Sequence, residues 1–208
     1  MKYDAIIFDI DGTLWNACDV SARGMNDALQ KMNIPAVLTA EDIARVSGKP
    51  FDQVFHALFG ELINQYPEIP KRATEGERKA IEEEGGRIFE GVFQGMKKLS
   101  QASKIFLVSN CEDWYLEAFK KYSKLSEYVT HADCYGISRK TKADMIQNII
   151  KTHHIKHAVY IGDTLIDQTA AELAGVDFIG AAYGFGTVQT AEKRFESFTE
   201  ILQYLSHT

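Results

Sequence analysis

The 208-residue chain is 45% hydrophobic and 25% charged, the proportions of a soluble globular protein with room for a sizeable core. Its net charge of -6 argues against a nucleic-acid partner and means that any anionic substrate must be held by local charge, a metal or helix ends. Cys18, Cys111 and Cys134 are scattered without CxxC spacing, which predicts reduced thiols in a cytoplasmic protein. The apolar N-terminal run is too short for a membrane span and is broken by aspartates, so neither a membrane partner nor an export signal is expected.

The first predicted element is a short Ile- and Phe-rich strand over 5–10, apolar on both faces. Similar runs recur at 104–108, 158–161 and, more weakly, 176–179. Helical patterns over 113–121, 142–152 and 164–174 separate them, each behind a polar cluster that can cap it. This alternation predicts an α/β fold, a Rossmann-like three-layer core around a parallel sheet. The stretch from Trp15 to Phe93 breaks the rhythm. It carries helical patterns over 21–32, from Thr39 with Asp42 three residues on, over 51–59 and over 75–90, punctuated by Pro35, Pro50, Pro67 and Pro70. It reads as an inserted all-helical cap, 15–93, between core segments 1–14 and 94–208. A helix over 197–205 closes the chain.

In a parallel sheet the ligand sits at the carboxyl ends of the strands. There the sequence places Asp9-Ile10-Asp11-Gly12-Thr13, then Ser109-Asn110, then Lys142 at a helix start, then Gly162-Asp163 with Asp167 one turn on. So many carboxylates in one crevice repel one another unless a hard cation joins them, and oxygen ligation beside phosphate is the habit of magnesium. The metal and Lys142 would offset a phosphoryl group, with Ser109 and backbone amides donating to its oxygens. Asp9 can then attack phosphorus, while Asp11 protonates the leaving oxygen and later activates water. Taken singly, each motif has a plainer reading: a hairpin turn at Asp11-Gly12, a helix cap at Ser109-Asn110, a surface lysine, a turn at Gly162-Asp163. Their common order and placement favour a site.

These four segments resemble the ordered motifs of the haloacid dehalogenase superfamily, most closely its phosphoglycolate phosphatase-like group with a helical cap. The resemblance spans the whole chain. It implies Asp9 as nucleophile and Asp11 as acid/base, and magnesium on Asp9, the Asp11 carbonyl and Asp163. It further implies phosphate contacts from Ser109 and Lys142, with Asp167 supporting the metal site or the lysine. Asp11 marks the phosphatase and phosphomutase branches, because dehalogenases and phosphonate-cleaving members lack an aspartate there. Of Lys140 and Lys142, the second is preferred because it opens an amphipathic helix.

Further substrate contacts are expected from Asn110 and Thr13, from Lys49 in the Ser47-Gly48-Lys49-Pro50-Phe51 turn, and from Trp15, with cap core as the alternative for Trp15. Arg23 reads as a surface residue, the cluster of His153, His154 and His157 as lying far from the site, and Cys111 as packing. The expected activity is magnesium-dependent hydrolysis of a small phosphorylated metabolite. A sugar phosphomutase and a non-catalytic phosphate-binding protein are the alternatives. The sequence leaves monomer and homodimer open.

Overall fold

The computed structural model describes residues 2–35, 37–186, 188 and 191–207. The chain opens on β1 (Ala5–Phe8) and, past a tight turn, β2 (Trp15–Asn16). Helices α1 (Cys18–Lys31), α2 (Ala40–Val46), α3 (Phe51–Phe59), α4 (Leu62–Gln65) and α5 (Ile69–Glu84) follow, and then β3 (Arg87–Ile88). Helix α6 (Val92–Leu99) leads to β4 (Lys104–Ser109), α7 (Asp113–Ser123), β5 (His131–Cys134) and the short α8 (Tyr135–Ser138). The chain finishes with α9 (Lys142–Thr152), β6 (Ala158–Gly162), α10 (Leu165–Ala174), β7 (Asp177–Ala181), β8 (Arg194–Phe195) and α11 (Phe198–His207).

The main sheet has six strands in the order β5-β4-β1-β6-β7-β8, and every pairing in it is parallel. Strand β1 is central and fully buried, as its uninterrupted apolar run requires. Successive side chains point to opposite faces. Ile6 and Phe8 therefore pack with Met96, Phe119 and Ile201, from α6, α7 and α11. Ile7 packs on the other face with Met145, Ile149 and Ala171, from α9 and α10. Two helical layers thus enclose the sheet, the architecture expected.

The segment between β2 and β3 is helical, and its two ends meet in an antiparallel ribbon where Trp15 faces Ile88 and Asn16 faces Arg87. The inserted unit is therefore closed at its stem by strands, which a purely helical reading omitted. Its interior is a separate apolar cluster that includes Met25, Leu29, Ile43, Phe55, Ile69 and Ala73. A capping box between Thr39 and Asp42 starts α2, as their spacing foretold. Helix α5 begins at Ile69 and not near residue 75, because Pro70 stands in the first turn, where its missing N–H costs nothing. It stops at Gly85, in a positive-φ conformation.

Two strands of the main sheet also escaped the sequence reading. Strand β5 carries an exposed His131 and a half-buried Ala132, so it lacks the apolar run of a central strand. Strand β8 is only two residues long. Among the described residues no helix is long and apolar enough to cross a membrane.

Helices α1 and α5 cross where Gly24 meets Gly76. A methyl at Gly76 would fall on the carbonyl of Gly24 and against the Ala28 side chain. In an exposed helix, Gly→Ala gains about 1 kcal/mol. At this crossing Gly76→Ala is expected to cost about 1–3 kcal/mol through overpacking. Thermal unfolding decides the sign, and a raised melting temperature would show that the crossing is not tight.

Candidate active site

Asp9 directly follows β1, Ser109 ends β4 and Asp163 directly follows β6, so three neighbouring strands deliver them to one edge. The turn after Asp9 is set by Gly12 at φ 77°, which brings the chain against Asp163. A β-carbon at Gly12 would collide with the Asp163 carboxylate, so this position demands glycine for both its conformation and its contact. The Asp11-Gly12 turn and the site are therefore one feature.

Lys142, at the first turn of α9, is 3% exposed. Its Nζ donates to Asp9 Oδ1 at 3.0 Å and to Asp167 Oδ1 at 2.6 Å. Lys140, by contrast, is exposed. Asp167 is saturated. Its Oδ2 accepts from the Thr164 backbone N–H at 3.0 Å and the Thr164 hydroxyl at 2.6 Å, while Tyr160 Oη reaches Oδ1 at 3.3 Å. Asp163 Oδ2 accepts the backbone N–H groups of Phe185 and Gly186 at 2.8 and 3.0 Å, and Thr13 Oγ1 lies 3.4 Å from Oδ1. The Tyr183-Gly184-Phe185-Gly186 loop thus clamps Asp163 through its amides.

Electrostatics follow from that geometry. Burial pulls the Lys142 pKa down, but Asp167 and Asp9 outweigh it and hold the ammonium above its usual range. Burial drives the Asp9 carboxyl well up against the pull of Lys142, reinforced by Asp167 and Asp163. Burial, with repulsion from Asp167, lifts Asp163 to about 7, opposed by the Gly186 and Phe185 amides. Asp11 rises to about 6 through burial, offset by the Tyr115 hydrogen bond. One lysine therefore faces more buried carboxylate than it can balance.

That imbalance is the signature of a cation site. Asp9, Asp163 and Asp167 each offer an oxygen within 4.8 Å of the others. Asp9 Oδ2 is buried with no hydrogen-bond partner. A hard divalent ion is the group such an orphaned oxygen suits. Asp167, already engaged on both oxygens, is placed to hold Lys142.

The other residues expected at the site divide into three groups. Ser109 and Asn110 line a cavity with Asp9, Asp11 and Lys49. Asn110 Nδ2 also donates to the Gly48 carbonyl at 2.8 Å, tying the sheet edge to the turn that carries Lys49. Thr13 is fully buried against Asp163. Trp15 is fully buried in the cluster of the main sheet, not in that of the inserted helices, and donates its indole N–H to Tyr115 Oη at 3.1 Å. Arg23 pairs with Glu84 on the surface, as expected of it. Cys111, expected only to pack, is half-buried and lines the cavity.

Two residues escaped the sequence reading altogether. Tyr115 donates to Asp11 Oδ1 at 2.5 Å and lines the cavity. Glu77 enters the same cavity from α5. Tyr115 stands in an ordinary amphipathic helix and Glu77 in a run of charged residues, so neither carried a local signal.

A Rossmann-like sheet with a carboxylate pair, a buried lysine and an acidic pair at its edge defines a phosphoryl-transfer class of enzyme. The chain belongs to the haloacid dehalogenase-like hydrolase family, whose profile matches residues 6–181. It is 27% identical over 210 residues to a 5'-nucleotidase of Pseudomonas aeruginosa, covering 90% of this chain and 86% of that protein. It is 23% identical over 202 residues to a phosphoglycolate phosphatase of Rhodobacter capsulatus, covering 87% and 85%. A haloacid dehalogenase-like family protein from Streptococcus pneumoniae superposes with a TM-score of 0.84 at 20% identity over 97% of both chains, a likeness of fold.

Both Asp11 and Asp163 bind their protons more tightly folded than unfolded, where the ordinary value is 3.8. Their ionisation therefore works against folding, and the metal-free protein is expected to lose stability as pH rises from about 4 to about 7. Added magnesium should raise the melting temperature far more at pH 7.5 than at pH 5, and equal shifts would count against a metal on these carboxylates. Replacing Lys142 with Met should cost the metal-free protein about 3–5 kcal/mol in urea unfolding, because Asp9 and Asp167 would stay buried without a cation.

Proposed function

We propose that the chain is a magnesium-dependent phosphatase that hydrolyses small phosphate monoesters through an aspartyl-phosphate on Asp9. The observation that carries this reading is the buried, unpartnered Asp9 Oδ2 beside Lys142, at the edge of the cavity. Family membership and the names of its phosphatase and 5'-nucleotidase relatives support it.

In the proposed reaction a carboxylate oxygen of Asp9 forms a bond to phosphorus as the ester P–O bond breaks, and Asp11 gives its proton to the departing alkoxide. Asp11, now ionised, takes a proton from the water that attacks the phosphorus and frees Asp9. An Asp11 pKa near 6 suits both duties, since the group must carry a proton for one half-reaction and shed it for the other. Lys142 and the Ser109 hydroxyl steady the phosphoryl oxygens. Magnesium would be held by Asp9, Asp163 and the Asp11 carbonyl, and it supplies positive charge to the phosphoryl group. Residues 15–93 serve as a cap over the core of 1–14 and 94–208. The cavity lined from both sides and the Asn110–Gly48 bond support that division.

The test is phosphate release from a panel of small esters, with and without magnesium, for the native protein and Asp9→Asn. Release should require magnesium and fall by at least about a thousandfold in the variant. Release that needs an added sugar bisphosphate would point instead to a mutase, and activity surviving in Asp9→Asn would end this mechanism.

A further inference from the structure

The cavity above Asp9 has a second pole. Its far wall, built by the inserted helices, presents Met25, Ile43, Val46, Val54, Phe55 and Leu58. Into this apolar wall projects one acid, Glu77. Helix α5 buries Ile69, Ala73 and Ile81, and Glu77 stands in the same four-residue series, where the helix pattern calls for an apolar residue. Its helix neighbours behave differently. Arg78 pairs with Glu82, Arg72 with Glu75 and Lys79 with Glu83, all towards solvent.

The Gly24–Gly76 crossing brings α1 close enough for Ser21 to hydrogen-bond Glu77. Among the described residues Glu77 forms no ion pair. Burial raises its pKa to about 7, with the Ser21 hydrogen bond opposing. Ionised or protonated, the carboxyl keeps an acceptor oxygen for a donor inside the cavity.

The charge around the pocket narrows what can sit there. Beyond the catalytic aspartates, the described lining residues offer one cation, Lys49, and two acids, Glu77 and Glu112, of which Glu112 is already paired with Arg139. A leaving group bearing its own carboxylate, as in 2-phosphoglycolate, would meet apolar side chains and Glu77 at this far wall. An uncharged leaving group with a ring-sized apolar body and an N–H or O–H donor meets dispersion contacts and an acceptor.

Resting on the phosphatase reading, we infer that this cavity takes a monoester of the nucleoside 5'-monophosphate type, with Glu77 as the specificity-determining acceptor for a donor on its leaving group. This goes beyond the chemistry at the sheet edge, because Glu77 and the apolar wall lie wholly within the inserted helices.

The test compares adenosine 5'-monophosphate, 2-phosphoglycolate and phenyl phosphate, a ring ester without a donor, on the native protein, Glu77→Leu and Glu77→Gln. The native kcat/KM should be at least about tenfold higher for adenosine 5'-monophosphate than for 2-phosphoglycolate. Glu77→Leu suits the buried stripe, so its melting temperature should hold or rise. The same variant should lower the ratio of adenosine 5'-monophosphate to phenyl phosphate by about tenfold, and Glu77→Gln, which keeps an acceptor oxygen, should restore most of it. A preference for 2-phosphoglycolate, or an equal loss on both ring esters in Glu77→Leu, would overturn the proposal.

Should no ester be hydrolysed at all, the phosphatase reading falls separately. The pocket is then judged by calorimetric binding to Asp9→Asn with magnesium. Tighter binding of adenosine 5'-monophosphate than of 2-phosphoglycolate upholds the assignment, and equal or weaker binding refutes it.

Discussion

The structure turns on a lysine that has been taken out of water and set between two aspartates. Burying an ammonium is expensive, and it is tolerated here because Asp9 and Asp167 each accept from Lys142 Nζ. The contact links three separate parts of the sequence: the end of β1, the start of α9 and the first turn of α10. Removing the lysine leaves two carboxylates stranded in the interior. Asp167 is further fixed as a capping residue of its own helix, so one carboxylate begins α10 and orients the lysine at once. Folding and assembly of the site are in that sense a single event.

The second constraint is the excess of negative charge that remains. Asp163 lies fully buried with amides on one oxygen and only a long contact from Thr13 on the other, and Asp9 Oδ2 has no partner. Such an arrangement is costly in the absence of a cation and well suited in its presence. Stability is given up locally where chemistry needs charge concentrated.

Much of this was legible in the sequence because its signals are local. Central strands buried on both faces read as apolar runs, and the residues just after them mark the working edge. The fold class and the gathering of Asp9, Ser109, Lys142 and Asp163 at that edge follow from such short-range patterns. What stayed hidden depends on long-range contact. Strand β5 has the polar face of an edge, and β8 is too short to show a period. Helix α5 was misplaced because Pro70 reads as a breaker until it is seen in a first turn. Trp15, read either as a substrate contact or as cap core, packs in the main-sheet cluster, a direction that no local pattern gives. Glu77 is the clearest case. Within α5 it looks like one more surface acid, and only the crossing with α1 reveals that it faces inward.

Tyr115 links the interior to Asp11 in one more way. The Trp15 indole has a single N–H and no lone pair to offer, so in their contact the Tyr115 oxygen must accept. Burial beside Asp11 holds the phenol pKa well above its ordinary value, so the hydroxyl keeps its hydrogen and directs it to Asp11 Oδ1. With Oδ1 committed as an acceptor, a proton carried by Asp11 belongs on Oδ2. The polarity of a two-bond chain that starts at a buried tryptophan therefore decides which of two chemically equivalent oxygens carries the proton.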